Sequence, residues 1–261
     1  MKKNIILFIT LFSGFVLHAQ QIKPDVVNAT GGSAQYSGGY LAWSVGEPVI
    51  GSIAGSNASI NQGFLQTWPA LAKNIMLTFY LEGLWNGSSL NKAQNDAGDA
   101  YPGDVADKVQ IELHKAANYN EVVYTAPGVN LNTAGQASVT VPAIHTGSYY
   151  LAVKHRNSIE TVSALPLALS GTSINYDFTD NADKAFGDNM KALDGIYVIY
   201  GGDVNQDGVV DGLDMIPVDN QAANFGNGYI PEDINGDGSI DALDMIVLDN
   251  NAAGFVSAVL P

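Results

Sequence analysis

The sequence predicts a mainly β protein, an antiparallel β-sandwich joined to a small all-α C-terminal module. Three observations predict this. Residues 74–200 alternate apolar and polar side chains with a period of two and show no helical period. Twenty-eight glycines with only 14% charged residues favour tight turns between short strands over helical bundles. The last 61 residues repeat themselves at an offset of 30, with an apolar stretch after each acidic segment.

Residues 1–19 read as a signal peptide. Lys2 and Lys3 precede an apolar run, Ile5 to Leu17, broken only by Thr10, Ser13 and Gly14, and His18-Ala19-Gln20 closes it. A charged start, a short apolar core and a small residue at the end direct export. The run is too short to span a bilayer permanently, and no later stretch is expected to cross one. Cleavage leaves nine basic residues against 26 acidic ones, a net charge of −17. Arg156 is the single arginine. A groove for nucleic acid needs clustered Lys and Arg, so nucleic-acid binding is excluded. Adsorption to an anionic membrane is disfavoured on the same ground. The absence of cysteine removes disulfides, thiolate metal sites and cysteine nucleophiles. The expected location is secreted or on the cell surface.

Residues 20–69 are rich in Gly, Ser and Asn and nearly uncharged, with short β-prone runs such as Tyr40 to Val45. Ala42-Trp43-Ser44-Val45-Gly46-Glu47-Pro48, followed by Asn61-Gln62-Gly63-Phe64-Leu65-Gln66, resembles a segment common near the N-termini of secreted bacterial surface proteins. That resemblance implies no activity. In residues 74–200, Ile75, Leu77, Phe79 and Leu81 share one face, and Val109, Ile111 and Leu113 share another with Gln110, Glu112 and His114 opposite. Val139 to Val141, Tyr149 to Lys154 and Ile196 to Tyr200 add strands, and turn residues such as Pro127-Gly128 and Thr146-Gly147 separate them. The stretch from Phe79-Tyr80-Leu81-Glu82-Gly83 to Val153-Lys154-His155-Arg156-Asn157-Ser158 resembles the β module that precedes dockerin-like tails in some secreted bacterial proteins, and carries no known catalytic residues.

Residues 201–261 contain no Lys or Arg, ten aspartates and Glu232, a charge of −11. Such a density unfolds a small domain or recruits cations, and the spacing points to cations. Two twelve-residue loops run from Asp203 to Asp214 and from Asp233 to Asp244. Calcium takes six to eight hard oxygens at roughly 2.3–2.6 Å. A chain curling around the ion offers side chains at positions 1, 3 and 5: Asp203, Asn205 and Asp207 in one loop, Asp233, Asn235 and Asp237 in the other. Glycine at position 6 permits the sharp turn. Position 7 supplies a peptide carbonyl, from Val209 or Ser239, and position 9, Asp211 or Asp241, acts through water. Position 12, Asp214 or Asp244, closes the shell, so two calcium ions are expected. The similarity of the copies continues through Met215-Ile216 and Met245-Ile246, Ala222-Ala223 and Ala252-Ala253, and Phe225 and Phe255.

An ordinary EF-hand ends in Glu. Asp at position 12, two copies about 30 residues apart and a helix only after each loop make the tail resemble a type I dockerin, an EF-hand-like module. The resemblance implies attachment to a cohesin-like partner and membership of a polysaccharide-degrading or adhesive assembly. The tail departs from the family at loop positions 10 and 11, where a Ser-Thr type pair is usual and Gly212-Leu213 and Ala242-Leu243 stand here. Asp219-Asn220 and Asp249-Asn250 replace the usual positive residues, and Pro217 is expected to bend the first helix. These differences put in doubt a known type of cohesin as partner, and the tail could equally pack on its own sandwich.

Sixty-one residues of this charge cannot build a self-sufficient core. In millimolar calcium, with a dissociation constant of about 10 µM, each site would add roughly 2.7 kcal/mol. Chelation is expected to unfold residues 201–261 and leave the sandwich intact. Elsewhere the residues favour a non-catalytic protein. Glu47, Glu82, Glu112, Glu121 and Glu160 read as solvated glutamates more readily than as a glycosidase pair, which needs a cleft. His114 is expected to face solvent and His155 to be half-buried at a strand end. Trp43, Trp68, Trp85, Tyr149 and Tyr150 read as packing residues; as a sugar-stacking platform they would make the protein a polysaccharide-binding accessory with a calcium-stabilised tail. Asp177, Asp180, Asp183 and Asp188 read as a polar loop. A glycoside hydrolase is the least favoured alternative.

Overall fold

The computed structural model describes residues 72–261 in full and, before them, the backbone of four strands, β1 (Thr30–Tyr36), β2 (Gly39–Val45), β3 (Ser52–Ala54) and β4 (Ser59–Asn61). The expected signal segment, Glu47 and Trp68 lie outside the described residues. The chain divides into two compact units, Met1–Pro69 and Ala70–Pro261. In the first, β1 pairs antiparallel with β2, and β3 with β4, so the Gly-punctuated runs form hairpins, with Trp43 placed on β2.

The second unit holds the remaining elements. Its strands are β5 (Lys73–Thr78), β6 (Gln94–Asn95), β7 (Gly98–Asp99), β8 (Val105–Lys115), β9 (Asn118–Asn132), β10 (Gln136–Val141), β11 (Ser148–His155), β12 (Ser158–Val162), β13 (Leu167–Ala168), β14 (Ser173–Asp177), β15 (Lys191–Leu193) and β16 (Ile196–Val198). Its helices are α1 (Gly212–Ala223) and α2 (Ala242–Ala253).

Eight strands form one hydrogen-bonded sheet in the order β12-β11-β8-β9-β10-β5-β14, with β13 added to β11. The alternation read from the sequence places Ile75 and Leu77, Val109, Ile111 and Leu113, Val139 and Val141, and Leu151 and Val153 in a single core with Phe79 and Phe178. Strands from both ends of the order share that core because the sheet curls around it. The protein is mainly β, as expected, but the path is continuous where two separate antiparallel sheets were anticipated. One neighbouring pair, β14 with β5, is parallel. The long run of chain between these two strands leaves room for the crossover that parallel pairing requires.

Beyond the sheet, α1 and α2 pack on each other over a second core of Val204, Val210, Val218, Ile234, Ile240 and Leu248. Ile159 of β12 completes that core and is fully buried there. Each loop also pairs with the segment that follows the other copy's helix. Val210 N–H donates to Val256 O at 2.9 Å, and Ile240 N–H to Gly226 O at 3.0 Å. The duplication therefore closes on itself. Pro217 lies inside α1, which still runs the same twelve residues as α2. No helix among the described residues is long and apolar enough to cross a membrane.

Candidate cation loops and their polar brace

Both acidic loops fold alike, and their carboxylates turn onto their own backbone. In the first, Asp203 accepts from Asp207 N–H at 3.1 Å and from Gly208 N–H at 3.1 Å. Asn205 Oδ1 accepts from Asp207 N–H at 2.8 Å, and Asp207 Oδ1 from Val209 N–H at 3.0 Å. In the second, Asn235 Oδ1 accepts from Asp237 N–H at 2.8 Å and Asp237 Oδ1 from Ser239 N–H at 2.9 Å. Asp211 and Asp241 sit at the N-caps of α1 and α2 and accept from Leu213 N–H and Leu243 N–H at 2.7 Å. The caps satisfy donors that a helix start leaves open.

The position-12 aspartates close the loops. Asp214 Oδ1 accepts from Val204 N–H at 2.8 Å and Asn205 N–H at 3.0 Å, and its Oδ2 accepts from Asp211 N–H at 3.0 Å. Asp244 does the same with Ile234 N–H at 2.7 Å, Asn235 N–H at 3.0 Å and Asp241 N–H at 3.0 Å. Both side chains are fully buried. A carboxylate has about four acceptor sites, so each keeps about one for any other partner. The shorter Asp thus serves as the second half of a capping box, a place usually taken by Glu or Gln.

The electrostatics are unfavourable without a cation. Burial, together with Asp214 and Asp207, pushes the Asp203 carboxyl up to about 6 against opposing backbone hydrogen bonds. Burial raises Asp233 to about 7, with Asp244 and Asp237 adding to the rise and Arg156 opposing it. Burial also raises Asp244. Asp233 is wholly buried, and its Oδ2 accepts from Gly238 N–H at 3.2 Å while Oδ1 has no hydrogen-bond partner. Burying an unpaired carboxylate oxygen is costly unless a cation meets it. A hard divalent cation fits this all-oxygen donor set.

A pH prediction follows. A carboxyl whose folded pKa is raised stabilises most below its ordinary value of 3.8, and that contribution disappears as pH rises through 6 to 7. His155, pushed down by burial, works in the opposite direction. Melting in EDTA should therefore lose more stability between pH 5 and pH 8 in the parent than in an Asp203→Asn, Asp233→Asn variant. Equal pH profiles for the two proteins contradict this.

The loops rest on the sheet through two buried polar braces. In one, Asp107 of β8, fully buried, accepts from Lys108 N–H at 2.7 Å and from Tyr229 Oη at 2.5 Å. His155 Nε2 lies 3.0 Å from Asp107 Oδ2, and its Nδ1 lies 3.1 Å from Ser158 Oγ. Burial works to raise the Asp107 carboxyl, but His155, Arg156 and Tyr229 outweigh it and hold it at about 2. The guanidinium of Arg156 covers the Tyr229 ring, 4.5 Å from its centroid. Its Nη2 lies 3.4 Å from Asp107 Oδ2, at ion-pair distance but without hydrogen-bond geometry. The Asp–His–Ser order matches a hydrolase relay in connectivity, yet Ser158 is only 2% exposed. A nucleophile must reach substrate, so this chain of bonds is a brace.

In the other, Glu82 accepts from Gly201 N–H at 3.1 Å and Asn251 Nδ2 at 2.7 Å and is ion-paired with Lys191. Asn251 of α2 also donates to Gly201 O at 2.8 Å. Glu82 is thus buried, where a solvated glutamate was expected.

Other sequence expectations separate here. Glu112 and His114 are buried, because Tyr119 folds back over β8 and stacks on the imidazole at 4.1 Å between centroids. His114 Nδ1 faces Tyr119 O at 2.6 Å and Nε2 faces Glu112 Oε2 at 3.1 Å. Glu160 lies close enough to these two to share an ion. Lys154 Nζ already sits 3.0 Å from Glu112 Oε2 and 3.4 Å from Glu160 Oε2 and meets their charge. Glu121 is exposed and paired with Lys115. His155 is 5% exposed, more deeply buried than a strand-end position suggests, because the tail covers it. Among the described residues the candidate aromatics do not gather: Trp85 packs on Tyr80, Tyr149 on His145, and Tyr150 on Tyr119 and Phe186. Asp177 caps its own turn by accepting from Thr179 N–H at 2.8 Å. The sequence signal for the first brace was slight: a lone arginine in an acidic chain.

No protein-family model and no curated protein sequence matches the chain. Among solved structures, the matches include two mutant type II cohesin–X-dockerin complexes from Acetivibrio cellulolyticus. The C-terminal interface mutant matches at TM-score 0.40 and the N-terminal interface mutant at 0.38. Both are 11% identical, and each match covers 70% of this chain and 99% of the other.

Proposed function

We propose that this is a secreted or cell-surface attachment protein without catalytic activity, whose C-terminal module is held by two calcium ions. The observation that carries this reading is the duplicated oxygen-donor loop, with the buried and unpartnered Oδ1 of Asp233 at its second copy. Asp203, Asn205, Asp207 and the carbonyl of Val209 would hold one ion, with Asp211 acting through water. Asp233, Asn235, Asp237, the carbonyl of Ser239 and Asp241 would hold the other in the same way. Asp214 and Asp244 would add their remaining acceptor site. The ions supply the positive charge that the loops lack. The polypeptide orients the donors, caps both helices and excludes water from position 12.

The partner is a protein. Leu213, Ile216, Leu243 and Ile246 are 54–59% exposed, at matching places in the two copies. Large apolar side chains left exposed at the same positions in both copies are the feature we read as an interaction face. With no Lys or Arg in residues 201–261, a complementary partner brings an apolar patch rimmed by basic residues. The dockerin resemblance makes a cohesin-like surface protein of a polysaccharide-degrading or adhesive assembly the expected type.

The test is a pull-down with the exported chain on its host's secreted and envelope fraction, eluted with EDTA. A protein released by EDTA, and lost on both Asp203→Ala with Asp233→Ala and Leu213→Asp with Leu243→Asp, supports the reading. Capture that ignores EDTA and all four substitutions overturns it.

A further inference from the structure

We infer that the two loops are unequal cation sites: the first is braced by its own side chain, and the second is positioned by Arg156 and Asn157 in the turn between β11 and β12. The inference rests on the calcium reading proposed above.

The difference lies at the peptide carbonyl of position 1. In the first loop, Asp203 O accepts from Gln206 Nε2 at 2.6 Å, a donor from position 4 of the same loop. Position 4 of the second loop is Gly236, which has no side chain to offer. Asp233 O instead accepts from Arg156 Nη1 at 2.6 Å and Asn157 Nδ2 at 2.9 Å. The same two side chains also hold Ile230 O and Pro231 O, at 2.8 Å and 3.1 Å.

The glycine is required by the docking. Gly236 has φ +73°, and a Cβ there would lie 2.3 Å from Cδ2 of Leu84, a side chain 1% exposed. Gly236 O also accepts from Gln94 N–H at 2.9 Å. Leu84 thus takes the space a Gln206 equivalent would need, and the β11–β12 turn supplies the missing donors. Both Asp203 oxygens have partners inside their loop, whereas Asp233 has one on Gly238 and one with none. The second site is therefore assembled only on the docked sheet, which couples cation binding there to docking.

Asn157 is the clean probe, because removing the Arg156 charge would itself favour a cation. Losing the two hydrogen bonds that Asn157 donates should weaken the second site about tenfold. Calcium alone is titrated calorimetrically into full-length exported protein carrying one working loop. With Asp203→Ala isolating the second loop, Asn157→Ala should raise the dissociation constant about tenfold. With Asp233→Ala isolating the first loop, Asn157→Ala should change it less than threefold. Gln206→Gly is the mirror variant; it removes the 2.6 Å bond to Asp203 O and a longer one, 3.3 Å, to Ser158 O of β12, and should weaken the first loop and spare the second. It decides the matter if Asn157→Ala does not fold. Equal effects on both loops, or no effect of either variant on its own loop, overturn the inference alone. No calcium bound by either parent overturns the calcium reading and this inference with it.

Discussion

Replacing Ile159 by alanine is expected to destabilise the sheet and the tail together. Ile159 belongs by sequence to strand β12, yet its side chain is fully buried among Val204, Val210, Val218, Ile234, Ile240 and Leu248. Truncating a buried isoleucine costs about 2–5 kcal/mol through lost transfer energy and the residual cavity. For a unit of this size that is a fall of roughly 4–20 °C in melting temperature. The more specific reading is hydrogen exchange, in which protection should fall in both helices as well as in β12. Ile75→Ala, in the core of the sheet, is the comparison and should spare the helices at first opening. A loss below about 1 kcal/mol, with the helix amides unchanged, would show that the tail does not lean on the strand.

The second large effect is expected at Asp107. Its carboxylate meets Arg156, His155 and Tyr229 together. Asp107→Ala takes away the ion-pair partner of the guanidinium, and breaking a buried pair from one side costs about 3–5 kcal/mol. The pH dependence has a definite sign. A carboxyl held at about 2 contributes fully above the ordinary 3.8, and that contribution is lost as pH falls from there toward 2. The parent should therefore lose stability over that range, and Asp107→Ala should be flatter. An alanine variant as stable as the parent would mean that the brace carries no net stability.

These two results bear on what the sequence could reveal. The period-two runs at Ile75, Val109 and Leu151 located strands because alternate side chains must enter one core. The loop spacing pointed to a helix after each loop; both helices begin two residues before the loop ends, because Asp211 and Asp241 cap where position 9 falls. The polar contacts between tail and sheet were hidden. Nothing local marks Glu82 or Asn251 as buried; each is covered by an element distant in the chain, whereas His114 is covered by Tyr119 from the next strand. For the same reason the expectation that chelation spares the sandwich needs amending. Ile159, Ser158 and Asp107 face the tail, so unfolding residues 201–261 uncovers β12 and its neighbours.

Phe225 and Phe255 show a different limit. Both follow a helix, both have positive φ, at +54° and +53°, and both are about nine-tenths exposed. Glycine is the usual residue at such a place. Repetition of a strained and exposed aromatic in both copies is visible in the sequence, but its conformation is not.

On the calcium reading proposed above, two loops of this chain each take an ion and so hold the tail on the sheet. Calorimetric titration of calcium into the demetallated exported chain tests it most directly. The predicted result is two ions per chain, one after either Asp203→Ala or Asp233→Ala, and none after both, with the melting temperature rising as the sites fill. Failure to bind at millimolar calcium, or binding that survives the double substitution, would contradict it.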